Sequence, residues 1–106
     1  MYKGNNGDKE NLLIDNLFNQ AIAEVLKELR QERSLSLQEL AKKMDNIVTR
    51  QTLNRYELGL SKLRMNVFLK FACAFNMQPK DLYEKINMKY ITKLSHYTEK
   101  IINSDK

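Results

Sequence analysis

The chain has 106 residues, 42% of them apolar, and carries a formal net charge of +5. That length suits one domain with a core of its own, and the apolar share excludes a chain disordered by composition. One Cys and one His exclude an internal disulfide and a cysteine-cluster zinc site, and three Gly with one Pro leave too few turn formers for a hairpin-rich β protein.

The opening MYKGNNGDKENL lacks the basic-then-apolar layout of a secretory signal. No apolar run approaches the roughly 18 residues of a membrane span, so a soluble, cytoplasmic protein is expected. The positive charge is uneven. Residues 1–20 carry a net −1, residues 21–60 a net +1 and residues 61–106 a net +5. An excess of this kind suits a polyanionic partner, although many basic proteins bind none.

Residues 1–10 read as a flexible N-terminus. From Leu12 a helical rhythm sets in: Leu13, Leu17, Ile22, Val25, Leu26 and Leu29 recur at spacings of three to five. The spacing predicts a first helix from about Asn11 to Arg33, capped by Asp8 or Asn11. Ser34-Leu35-Ser36 interrupts it. Ser36 with Glu39 three residues later forms a capping box, and a second helix follows over 37–44. Asp45-Asn46 favour a turn, and Thr49 is the next N-cap candidate, opening RQTLNRYEL. Gly59 stands where a helix-ending glycine belongs. After the loop LSKLR comes an apolar helix over 65–75, with Asn76 suited to a left-handed cap. Pro79 suits the first turn of PKDLYEKI, where its missing N–H has no partner to lose. Beyond Asn87, helical spacing continues: Ile86, Tyr90, Leu94, Tyr97 and Ile101 share one stripe. Residues 11–86 thus form the domain, with 87–106 as a C-terminal helical extension.

Two short helices joined by a tight turn, within a set of short helices, suggest a DNA-reading unit. The segments LKELRQERSLSLQELAKKM, VTRQTLNRYELG and FLKFACAFNMQPKDLY carry Leu40-Ala41, Thr52-Leu53, Tyr56-Glu57 and Gly59 in a fixed order. In this combination the sequence resembles the Cro/phage-repressor helix-turn-helix family, also called the xenobiotic-response-element type, over roughly residues 22–85. The resemblance implies an all-α, five-helix, lambda-repressor-like domain, here with an extended first helix and an additional C-terminal helix. It implies double-stranded DNA as partner and a helix over about 49–58 as the reader of the major groove. Ala41 is small where the two motif helices approach, and Leu37, Leu40, Met44, Val48, Leu53 and Tyr56 can face the core.

Arg50, Gln51, Asn54 and Arg55 then fall on the opposite face. Arg and Gln are the side chains that contact guanine and adenine edges in pairs of hydrogen bonds. By resemblance they are the base-reading set, and Ser36, Gln38, Thr49, Lys62 and Arg64 occupy phosphate-contacting positions. Ser36 also caps, and Lys62 and Arg64 are equally intelligible as loop-solubilising charges. Arg30 and Glu57 match a family ion pair, with two solvated charges as the plainer alternative. The turn in MDNIVT is about two residues longer than the family's and lacks its glycine, and Arg64 stands where Ser or Thr commonly caps the fourth helix.

Cys73 between two alanines reads as packing, since no base lies near it in sequence. Nothing pairs a nucleophile with a base and an oxyanion donor, so no enzyme, cofactor or metal is expected. Tyr90, Leu94, Tyr97 and Ile101 need cover, either from the N-terminal residues Leu13, Leu17 and Phe18 or from a second subunit; a homodimer is the favoured reading. The function expected is transcriptional regulation. An antitoxin using the same domain for autoregulation and its tail for a toxin is the alternative, and an interaction module without DNA binding is a third.

Overall fold

The computed structural model describes residues 6–104, and side chains within 13–103. Five helices follow in order: α1 (Asn6–Glu32), α2 (Leu37–Lys43), α3 (Arg50–Glu57), α4 (Met65–Ala74) and α5 (Pro79–Ser104). There is no strand among the described residues.

α1 begins earlier than its apolar spacing predicts. Residues 6–10 are helical and belong to α1, where the sequence offers no helical period, and residues 1–5 lie outside the described residues. Asp8 and Asn11 sit inside the helix, so neither is its N-cap. A single Gly costs about 1 kcal/mol in a helix, and Gly7 is not enough to stop the chain from winding. At the other end, the extension after Asn87 is not a separate element. The backbone runs through the expected boundary at 86/87 without interruption, and α5 spans 26 residues from Pro79.

The core lies where the three short helices meet the two long ones. Leu26 and Leu29 of α1, Leu40 and Met44 near α2, Leu53 and Tyr56 of α3, Phe71 and Phe75 near α4, and Leu82 and Ile86 of α5 are all buried. Leu37 and Val48 are half-buried against this cluster. The Tyr56 ring meets Phe71 edge-on at 6.0 Å, and Phe71 stacks on Phe75 at 5.9 Å, so α3 and α4 share an aromatic seam. Burying large side chains at about 1.5–3 kcal/mol each is the main stabilising term here.

The long helices pack antiparallel. Phe18 and Tyr90 meet edge-on at 5.3 Å. Lys89 pairs with Glu28 at 2.7 Å, and Lys93 pairs with Glu24 one turn further on. The hydrogen bond from Lys89 to Glu28 raises the lysine above its ordinary range. Tyr90 is thus engaged within the chain, and Leu94 and Tyr97 beside it are half-buried. Arg33 fastens α1 to the end of α4. Its Nε and Nη2 donate to the Phe75 carbonyl at 3.2 and 3.0 Å, and the guanidinium lies 5.2 Å from the Phe75 ring centre.

Four helices end in the same way. In each, the last turn is closed by two backbone hydrogen bonds around a residue in the left-handed region, the Schellman arrangement. The left-handed residues are Ser34 after α1, Asp45 after α2, Gly59 after α3 and Asn76 after α4. Only one is glycine. Asp and Asn tolerate this conformation because their short polar side chains bond locally. That explains how a chain with three glycines makes four sharp reversals. Asn46 follows Asp45 in the same region, at φ 57° after 56°, and these two residues supply the turn in place of the family's glycine.

Candidate nucleic-acid interface

Ser36 opens α2. Its Oγ accepts from the Glu39 amide at 3.0 Å, and a Glu39 carboxylate oxygen accepts from the Ser36 amide at 3.0 Å. Both halves of the capping box are present. These bonds favour the charged carboxylate and hold Glu39 below the usual carboxylate range. Gln38 lies exposed in the first turn.

The turn then bends through Asp45 and Asn46, and Lys70 of α4 reaches the Asp45 carboxylate at 2.5 Å. That hydrogen bond raises the lysine above its ordinary range. Thr49 opens α3: its Oγ1 accepts from the Thr52 amide at 3.1 Å and donates to the Thr52 hydroxyl at 3.0 Å. The N-terminal amides of α2 and α3 and their positive dipole ends favour phosphate nearby.

Leu53 and Tyr56 anchor the inner face of α3, both buried. Arg50, Gln51, Asn54 and Arg55 are exposed on the remainder. A helix of eight residues whose inner face is held at two points presents the other side chains to whatever lies outside.

The orientation of α3 is tied to α1 by a forked ion pair. Arg30 Nε donates to Glu57 Oε2 at 2.6 Å and Nη2 donates to Oε1 at 2.9 Å. The two side chains are only 14% and 7% exposed, so this pair is largely withdrawn from water. The Glu57 hydrogen bond raises Arg30 further above its already high range, and the third corner, Nη1, donates to the Leu35 carbonyl at 2.8 Å. One guanidinium therefore joins the end of α1, the entry to α2 and the last turn of α3.

The loop over 58–64 carries Lys62 and Arg64, both exposed. Arg64 is the N-cap residue of α4 by position, yet its side chain makes no capping hydrogen bond. Arg55 differs from the other three outward residues of α3, because its Nε donates to Ser61 Oγ at 3.0 Å and its Nη2 to the Leu60 carbonyl at 3.3 Å. Reading the residues one at a time missed these bonds. It also missed the link from Asp45 to Lys70.

The described residues gather no cluster of three or more His, Cys, Asp or Glu side chains fit to hold a metal ion, and no helix among them is long and apolar enough to cross a membrane.

Fold and site together define a class: an all-helical domain built around a helix-turn-helix, with the second motif helix outward. A helix-turn-helix family model matches residues 26–82, more than half of the chain. The protein belongs to the Cro/C1-type, or XRE, helix-turn-helix family of DNA-binding transcription regulators. No curated protein matches the chain.

Proposed function

We propose that this regulator binds a specific DNA sequence by laying α3 in the major groove, with Arg50, Gln51 and Asn54 at the base edges. The observation that carries this reading is the outward, polar and basic face of α3 on a helix held from behind by Leu53, Tyr56 and the Arg30–Glu57 pair. Ser36, Gln38 and Thr49 stand at the starts of α2 and α3, where amides meet phosphate oxygens, and Lys62 and Arg64 flank the groove on the far side.

The protein acts as a homodimer on two half-sites, as the two-fold logic of helix-turn-helix operators suggests. With Tyr90 engaged by Phe18, the outward residues of α5 support this reading. Met88, Ile91 and Ile102 are 70%, 51% and 55% exposed and would be covered by a second subunit.

Duplexes selected by the protein from a random-sequence library, and their single-base variants, provide the test. Arg50→Ala or Gln51→Ala should weaken binding by about 1–3 kcal/mol and relax preference at particular base pairs. Unchanged affinity and preference in both variants would remove α3 as the reading element.

A further inference from the structure

Arg30 and Arg55 occupy the same place in two helix ends. Each is the residue from which the closing turn is measured: the Leu35 amide donates to the Arg30 carbonyl at 3.1 Å, and the Leu60 amide to the Arg55 carbonyl at 2.9 Å. Each then returns its guanidinium to the carbonyl of that same leucine, Arg30 to Leu35 and Arg55 to Leu60. The leucine peptide is gripped on both its N–H and its C=O by one arginine. A serine follows in both cases, Ser36 and Ser61. Schellman turns commonly close with an apolar contact at this point; Leu35 packs against the core as well, whereas Leu60 is exposed and has the guanidinium. The first grip sets the entry to α2. The second sets the loop that carries Lys62 and Arg64.

That loop has little else to hold its start. Leu58 and Leu60 are 61% and 59% exposed, and the first half-buried apolar side chain after them is Leu63. The closed turn holds the Leu60 amide, and beyond it the Leu60 carbonyl and the Ser61 hydroxyl are held by hydrogen bonds from Arg55. The Nε edge of Arg55 is committed to Ser61 and Leu60, so turning that edge to a base would release the loop. Resting on the DNA-binding reading above, we propose that Arg55 is a positioning residue: it clasps Leu60 and Ser61 so that Lys62 and Arg64 meet the phosphate backbone, and it leaves base reading to Arg50, Gln51 and Asn54.

The experiment measures binding to a duplex selected from a random library, and to each of its single-base variants, across a range of KCl concentrations. Each phosphate contact contributes about 0.9 to the slope of log K against log salt. Arg55→Gln should weaken binding about tenfold, evenly over all variants, and lower the slope by about one to two such contacts. Ser61→Ala, which removes no charge, should give the same even pattern at a few-fold. Arg55→Lys, which keeps the charge but not the fork, should recover only part of the loss. In a Lys62→Ala, Arg64→Ala background, Arg55→Gln should add almost nothing.

Loss of preference at one base pair in Arg55→Gln, with Ser61→Ala silent, would overturn the proposal and return Arg55 to the readers. Full recovery in Arg55→Lys with Ser61→Ala silent would overturn it in favour of a direct phosphate contact. Failure of the underlying reading looks different: Arg50→Ala and Gln51→Ala would then leave selection intact, or no duplex would be selected at all, and the proposal would fall with it.

Discussion

From Ser36 to Ser61 every helix end is bonded off by a side chain or a closed turn, whereas α1 and α5 run side by side with few polar ties between them. The short helices α2 and α3 have seven and eight residues, too few to be stable alone. They depend on caps, on Arg30 and on a handful of core side chains. The long pair depends on extended apolar contact and on pairs of exposed charges. The difference shows where accuracy is needed: on the reading proposed above α3 must keep its angle, while the long helices must only stay in contact.

Truncation in the core costs most. Leu53→Ala in α3 should cost about 2–5 kcal/mol in chemical denaturation, as for a fully buried leucine. Tyr90→Ala, half-buried in the long pair, should cost about 1–2 kcal/mol. Equal costs would mean that the edge of the core at Tyr90 is held as firmly as its centre at Leu53, and would erase the distinction. Next comes the forked pair. Glu57→Ala leaves Arg30 withdrawn from water with only the Leu35 carbonyl, and should cost about 2 kcal/mol, between exposed and fully buried pairs. It should also weaken DNA binding beyond any loss of folded protein, read by titration well below the melting temperature.

Glu39 is held below its ordinary range, so its contribution is fully present above the usual carboxylate pKa and is lost as pH falls through the lowered value. Glu39→Gln should flatten the acid side of the stability profile, measured as melting temperature against pH from about 6 to 3. Smallest is the loss of Lys89 and Lys93 together, expected below about 1 kcal/mol and vanishing in molar salt. A salt-independent loss there would mean that the lysine stems, not their charges, join α5 to α1.

Much of this architecture was legible because it is local. Ser36, Glu39, Thr49 and Pro79 act within a turn of their own positions, and their spacing predicts the helix starts that the structure has. The apolar face of each short helix is likewise a matter of three- and four-residue spacing. The start of α1 was not legible, since the polar run over 6–10 offers no apolar period to follow and Gly7 suggests a break. The link from Asp45 to Lys70 spans 25 residues and depends on how α4 returns across the turn. The grip of Arg55 on Leu60 is local enough to be found, but only by comparing it with Arg30 and Leu35, and a search for apolar periods passes over both.

The charge map also looks different once partners are assigned. Of the nine basic residues beyond position 60, Lys70, Lys89 and Lys93 already touch carboxylates. To a distant polyanion such couples are dipoles, and at a Debye length of about 8 Å their field fades within a few ångströms of the surface. An approaching duplex is therefore drawn less by α5 than its tally of lysines implies. Arg50, Lys62 and Arg64 make no such pair with a carboxylate among the described residues, so on the proposed reading face the positive charge is not offset in this way.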